Sequence, residues 1–423
     1  MSHLIRVTER ASRLLRNGAI VVAMGAGLSL AACEKPYECK DEIGCVAVKP
    51  DEPIKIGVIQ ALSGKVEPSG HRYLRSTESA IDDRKGEMLG HKIVIQAEDG
   101  QCTREGGATA GLKIAADPQI IGVIGTTCSG EAKGAEPALS NAGMVTISGS
   151  NTAASLTSIG GEQGEDWHPG YFRTAHNDAE QGKAAAAFAF HQLNIRKVAT
   201  IDDGDTYTKG LARVFREAFT ELGGEVVLTG AINKGDTDIA PVLISVHDSG
   251  AELLFLALFE PEGDLVIQQK AKDAALAPIK VMSSDGLMLG TFLETVGKDS
   301  VGMYFVGPAK ASGADYDAFV SKYEAKYGEQ LTTNFHAQTY DAANMLMAAV
   351  EKVAVKGSDG TIHIGRKALR DALYATKDFP GLTGKLSCNQ FGDCGAVRFI
   401  GVQVEDPASG IDGLKSKVLF TYP

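Results

Sequence analysis

Residues 54–62 read Ile54-Lys55-Ile56-Gly57-Val58-Ile59-Gln60-Ala61-Leu62, a short apolar run rich in β-branched side chains, and a stretch of helical period follows at 73–85. The next residues repeat this rhythm: 91–97 precedes 103–116, 120–125 precedes 130–141, and 144–148 follows. Strands that carry Val and Ile at successive positions are buried on both faces, the environment of a parallel sheet between two helix layers. A Gly- and Glu-rich stretch at 160–170, holding the only tryptophan, interrupts the pattern. It resumes at 197–201, 210–222, 225–232, 239–249, 253–259, 262–275 and 279–283. Two successive units of this kind predict an α/β fold with two similar lobes, each a mostly parallel sheet with helices on both faces. After 303–306 the period is helical, at 316–327, 337–355 and 365–375, and the tail 381–423 reads as strands with turns at Gly384 and at Gly392-Asp393. Helices this late need a sheet face to cover, and the first lobe is the expected one. The predicted organisation is 54–173 and 307–382 in lobe 1, with 174–306 and 383–423 in lobe 2. Several crossings then make a hinge.

The N-terminus points outward from the cytoplasm. Arg6, Arg10, Arg13 and Arg16 stand against Glu9, and 19–32 carry no charge and end in small residues. This is an export-signal pattern over 1–32, too short in its apolar part to span a membrane. Leu30-Ala31-Ala32-Cys33 resembles the lipobox of bacterial lipoproteins, so Cys33 is expected to carry lipid and to hold the chain at a membrane surface facing the periplasm or cell exterior. Six cysteines remain. In an oxidising compartment they can pair as Cys39–Cys45, Cys102–Cys128 and Cys388–Cys394. Residues 33–53, with Pro36, Pro50 and Pro53, read as a tether. Without 1–32, which hold four arginines and one glutamate, 38 Lys and Arg face 52 Asp and Glu, a net charge of −14. Nucleic acid is thereby excluded as an expected partner.

Familiar catalytic signatures, phosphate loops and metal-binding spacings are missing from the sequence, so neither enzyme activity nor a cofactor or metal is expected. Asp202-Asp203-Gly204-Asp205 lacks the later glutamate of a calcium loop and reads as a solvated turn; Glu262 and Asp264 read as ordinary acids at a helix start. Residues just after strands are more informative, because open α/β sheets bind ligands beyond the carboxyl ends of their strands. Thr126-Thr127-Cys128-Ser129 follows one strand and opens a helix; Ser148, Ser150 and Thr152 follow another. In the second lobe the corresponding places hold Tyr207, Phe259-Glu260 and Asp285-Gly286. Hydroxyls facing aromatics and an acid suit a small zwitterion, its carboxylate on the first lobe and its ammonium on Asp285.

Ile56–Gly64, Ala97–Cys102, Val123–Ser129, Phe172–Thr174, Asp178–Gly182, Tyr207–Arg213, Asp285-Gly286 and Gly381–Gly384 occur in the order found in one family. Over residues 54–405 the chain resembles the type I periplasmic solute-binding proteins, in the leucine/isoleucine/valine-binding branch of ABC importers. The resemblance implies a disulfide between Cys102 and Cys128 beside the site. It also implies that Ser129, Ser150 and Thr152 hold the ligand's carboxylate and amino group, that Tyr207 closes over it, and that Asp285 pairs with its ammonium. Three positions depart from the leucine binders: Phe259 stands where they have a tyrosine, Ser69 where they have an aromatic, and Asp285 where glutamate is usual. A larger or more polar amine would use the room at Ser69, with Glu260 as a second charged contact. The function implied is a tethered solute-binding lipoprotein that captures an amino-acid-like molecule by lobe closure and delivers it to an ABC permease. A ligand-sensing module of the same fold is the alternative.

Overall fold

The computed structural model describes residues 37–395 and 398–422; the export signal and Cys33 lie outside them. The first lobe is built on β1 (Ile54–Gln60), β2 (His91–Asp99), β3 (Ile120–Gly125), β4 (Thr146–Ser148) and β5 (Tyr171–Arg173). These lie in the order β2-β1-β3-β4-β5, all parallel, with Glu87–Met88 antiparallel on the outer edge of β2. The second lobe repeats the plan with β6 (Lys197–Asp202), β7 (Glu225–Ala231), β8 (Leu253–Leu256), β9 (Lys280–Ser284) and β10 (Tyr304–Pro308), ordered β7-β6-β8-β9-β10 and parallel. Two antiparallel strands, β11 (Phe399–Gln403) and β12 (Val418–Tyr422), extend it.

Alternation within strands explains the two-sided burial. Leu254 and Leu256 of β8 enter one core with Ile201, Phe292 and Phe305, while Leu253 and Phe255 enter the opposite one with Phe215 and Phe219. In the first lobe Ile56 and Val58 face one side and Ile59 the other. The helix α10 (His336–Val353) covers the first side with Leu346, Met347 and Val350, as its late apolar period requires. On the other side α2 (Arg104–Ala115) and α3 (Ser129–Asn141) run almost backbone to backbone. A Cβ on Gly107 would sit 2.2 Å from the Glu131 carbonyl oxygen, and one on Gly134 2.0 Å from that of Arg104. Only glycine permits this approach.

All three expected cysteine pairs are disulfides in the structure. Residues 45–48, expected in the tether, form a strand antiparallel to Ile362–Gly365; Val46 and Val48 point into the first core, a period-2 burial that outweighs the prolines around them. The tail departs from an all-strand reading as well. Residues 384–394 stay with the first lobe, where Cys388 and Cys394 are buried beside Leu373, and the chain joins the second sheet at Phe399. A helix, Gly410–Ser416, then forms because Ile411 and Leu414 complete the second core, despite its two glycines. Leu346 is fully buried under the first sheet. Leu346→Ala should cost about 2–5 kcal/mol of stability, read as a lowered urea midpoint at unchanged slope.

Candidate functional site

Strand order reverses between β1 and β3, and again between β6 and β8, and a crevice opens at the carboxyl end of each reversal. The two crevices face each other across a cavity of about 450 Å³. All eight residues expected from sequence line it: Ser69, Ser129, Ser150 and Thr152 from the first lobe, and Tyr207, Phe259, Glu260 and Asp285 from the second.

On the first lobe the wall is held from behind by buried polar bonds. Thr127 donates its hydroxyl to Gln60 Oε1 (2.7 Å) and accepts the Ala61 N–H (2.9 Å), which clamps the ends of β1 and β3 together. Cys102 precedes α2 and Cys128 precedes α3, so the disulfide ties the starts of both helices, with a Cα separation of 5.2 Å. The buried Glu131 receives both cysteine N–H groups, Cys102 on Oε1 (2.7 Å) and Cys128 on Oε2 (2.8 Å). Ser129 accepts the Ala153 N–H (3.2 Å), which leaves its hydroxyl hydrogen free to donate. Ser150 is the reverse. Its hydroxyl donates to the carbonyls of Thr126 (3.0 Å) or Thr127 (2.9 Å), leaving oxygen lone pairs free to accept.

The second lobe presents Tyr207 from the first turn of α5 (Thr206–Glu221), where Asp205 caps the helix by accepting the Tyr207 N–H (3.1 Å). Asp205 also pairs with Lys234 at 2.9 Å, and Asp202 is buried, so this acidic run is a built turn rather than the solvated one expected. The Tyr207 and Phe259 rings lie 5.0 Å apart. The Tyr207 hydroxyl meets Ser284 Oγ at 2.8 Å and donates to Asp285 Oδ1 at 3.2 Å, an oxygen that Gln181 also bonds. Asp285 Oδ2 makes no hydrogen bond among the described residues. Glu260 accepts the Thr291 hydroxyl at 2.6 Å, and burial raises its carboxyl above the ordinary range.

Behind the cavity the chain passes from β5 into the second lobe beside Arg173, whose side chain is wholly buried. Its Nε donates to Asp393 Oδ1 (2.7 Å), its Nη1 to the carbonyls of Ala153 (2.9 Å) and Asn151 (3.3 Å), and its Nη2 to Thr157 Oγ1. Burial disfavours the charged Asp393 carboxylate, but Arg173 and the hydroxyls of Ser158 and Thr157 outweigh it and hold the carboxyl below its usual range. The same crossing buries Asp178, whose carboxyl is pushed well up by burial and by Asp285.

Sequence reasoning missed Tyr73 and the run Thr332–Phe335 and read Asp264 as an ordinary helix-start acid, yet all of these line the cavity with Thr127, one of the strand-end hydroxyls. Tyr73 stands one helical turn after Ser69 on α1 (Glu67–Asp83), a spacing legible once Ser69 is suspected. Thr332-Thr333-Asn334 is a polar run just before a helical pattern; Asn334 reaches the carbonyls of Asp285 and Met288, both at 3.2 Å. Among the described residues no three His, Cys, Asp or Glu side chains are placed to hold a metal ion, and no helix is long and apolar enough to cross a membrane.

Two repeated α/β lobes, several crossings and a cavity at paired switch points define a two-lobed periplasmic binding protein of type I. Residues 53–394 match the family model described as periplasmic binding protein, and the chain belongs to that family. It is 28% identical over 352 residues to the Leu/Ile/Val-binding protein BraC3 of Rhizobium johnstonii, covering 82% of this chain and 90% of that one. An amino acid binding protein of Pseudomonas aeruginosa is 27% identical over 264 residues, 62% of this chain and 67% of its own. Among solved structures, LivJ of Streptococcus pneumoniae in complex with isoleucine superposes with a TM-score of 0.72 at 23% identity, covering 88% of this chain and 99% of that one. A Rhodopseudomonas palustris solute binding protein in complex with benzoate gives 0.71 at 22%, covering 87% and 96%. Members of this family bind solutes rather than transform them, and the protein is not an enzyme.

Because the Asp393 carboxyl titrates below its unfolded value near 3.9, its stabilisation is complete above that pH and is lost as pH falls through the lower folded value. Thermal melts between about pH 6 and 3 should therefore show an acid loss of stability that is smaller in Asp393→Asn. At pH 7 the same variant should be less stable by about 3 kcal/mol, because it leaves the Arg173 charge buried and unpaired.

Proposed function

We propose that the protein is the solute receptor of an ABC importer, exported and held at the membrane by lipid on Cys33, and that it binds an amino acid or a close relative between its lobes. The observation that carries this reading is the opposed polarity of the cavity walls. Ser129 has a hydroxyl hydrogen to donate at the start of α3, where the first N–H groups of the helix also lack intrahelical partners. Asp285 Oδ2 stands opposite as a free anionic acceptor. A carboxylate on the first wall and an ammonium on the second would satisfy both, with Ser150 accepting a further ammonium hydrogen and the rings of Tyr73, Tyr207 and Phe259 covering the carbon skeleton.

The relatives named for Leu, Ile and Val support an amino acid as ligand, and the structural neighbours described as solute binding proteins of ABC transporters support a permease as partner. Closure would turn on the crossings at Arg173–Asp178, at the end of β10 and between Cys394 and Phe399, moving 54–173 with 307–395 against 174–306 with 398–422.

Asp285→Ala should weaken amino-acid binding by about 10- to 150-fold in isothermal titration, the worth of a charge-assisted buried bond. Unchanged affinity would remove the zwitterion pose. For the anchor, Cys33→Ser should release the protein from membranes into the soluble fraction, followed by immunoblot.

A further inference from the structure

The strand β8 leaves the second sheet through Phe259-Glu260-Pro261 and enters α7 (Glu262–Lys270). Glu260 and Asp264 are four residues apart and both line the cavity; Gln268, one turn further on, continues the polar strip. Of the three acids in this stretch only Glu260 and Asp264 line the cavity, and they are not equivalent. Glu262 accepts the Gly235 N–H at 2.8 Å, and Glu260 accepts the Thr291 hydroxyl through Oε2. Asp264 is 7% exposed, its Oδ1 is buried without a hydrogen-bond partner, and burial with its two acidic neighbours raises its carboxyl to about 7. An acid in the first turn of a helix ordinarily faces water and gains from the dipole. This one faces the cavity. Lys65 and Arg72 line the opposite wall; neither makes an ion pair with Glu260 or Asp264, Lys65 acts on both only through a weaker attraction that burial and the acidic neighbours outweigh, and Arg72 lies 4.0 Å from Glu329. Such an acid pair destabilises the empty site and is relieved by a cation brought in by a ligand.

We infer that the ligand carries a second cationic group, amino or guanidino, which Glu260 and Asp264 receive, so that the protein selects basic amino acids over aliphatic ones. The inference rests on the amino-acid reading above and names its substrate class. A metal ion is the poorer occupant, since the described residues bring no three-ligand set together. The cavity of about 450 Å³ accommodates a chain of this length, and the small side chain of Ser69 is part of its lining.

Isothermal titration of the exported protein with L-lysine, L-ornithine, L-arginine and the uncharged L-norleucine tests it. At least one of the basic amino acids should bind about 30-fold or more tightly than norleucine. Asp264→Asn and Glu260→Gln should each shrink that ratio about tenfold or more. The ligand-free Asp264→Asn protein should melt at the same temperature as wild type or higher, because an unpaired buried charge has been removed. A lower melting temperature would mark Asp264 as structural and overturn the inference. Norleucine or leucine binding as tightly as every basic amino acid would overturn it while leaving the amino-acid reading intact. If no amino acid binds at all, both fall.

Discussion

The architecture of the site depends on the buried ion pair between Arg173 and Asp393. Arg173 closes β5 at the point where the chain leaves the first lobe, and its guanidinium gathers the carbonyls of Asn151 and Ala153, the Thr157 hydroxyl and the Asp393 carboxylate. The loop so gathered carries Ser150 and Thr152 into the cavity, and the Asp393 end belongs to the loop closed by Cys388–Cys394. One side chain thus fixes a cavity-facing loop, a chain crossing and the last segment of the first lobe. A buried pair of this kind adds little net stability over an apolar substitute, but removing one partner is expensive. Its contribution is to geometry.

The first-lobe wall is satisfied internally before any ligand arrives. Thr127 donates and accepts within the wall, Glu131 uses both carboxylate oxygens on backbone N–H groups, and Ser129 and Ser150 each spend one side of their capacity on the backbone, so what is left over has a defined direction: a donor at Ser129, an acceptor at Ser150. The second-lobe wall is the opposite. Asp285 keeps one oxygen free, Asp264 has an oxygen buried without a partner, and Tyr207 is held against Phe259 where it can cover a ligand. A wall of directed dipoles thus faces a wall that carries acids with carboxylate oxygens left unbonded.

Much of the fold is legible in the sequence because parallel strands buried on both faces leave an unmistakable apolar run, as at 54–59 and 253–256. Seven of the eight cavity residues are legible for a related reason: they come after strands, and strand ends at a switch point converge, whereas Ser69 lies inside α1 and is reached only through the family resemblance. The exceptions lie where local signals are weak. The helix Gly410–Ser416 carries two glycines and exists because Ile411 and Leu414 fill the second core. The strand 45–48 looks like linker until Ile362–Gly365 pairs with it from more than three hundred residues away. Asp264 satisfies the ordinary rule for a helix start, so nothing local marks it as a cavity residue.

What the sequence alone determined is the repeated α/β plan, the family resemblance and the residue types at the strand ends, since these follow from hydrophobic period and local motif order. Only the tertiary structure decided which hydrogen-bonding capacity each residue has left, that Arg173 meets Asp393, and that Asp264 faces the cavity unpaired. The physical reason is that burial and hydrogen-bond partners are properties of residues brought together from distant parts of the chain, and no local period encodes them.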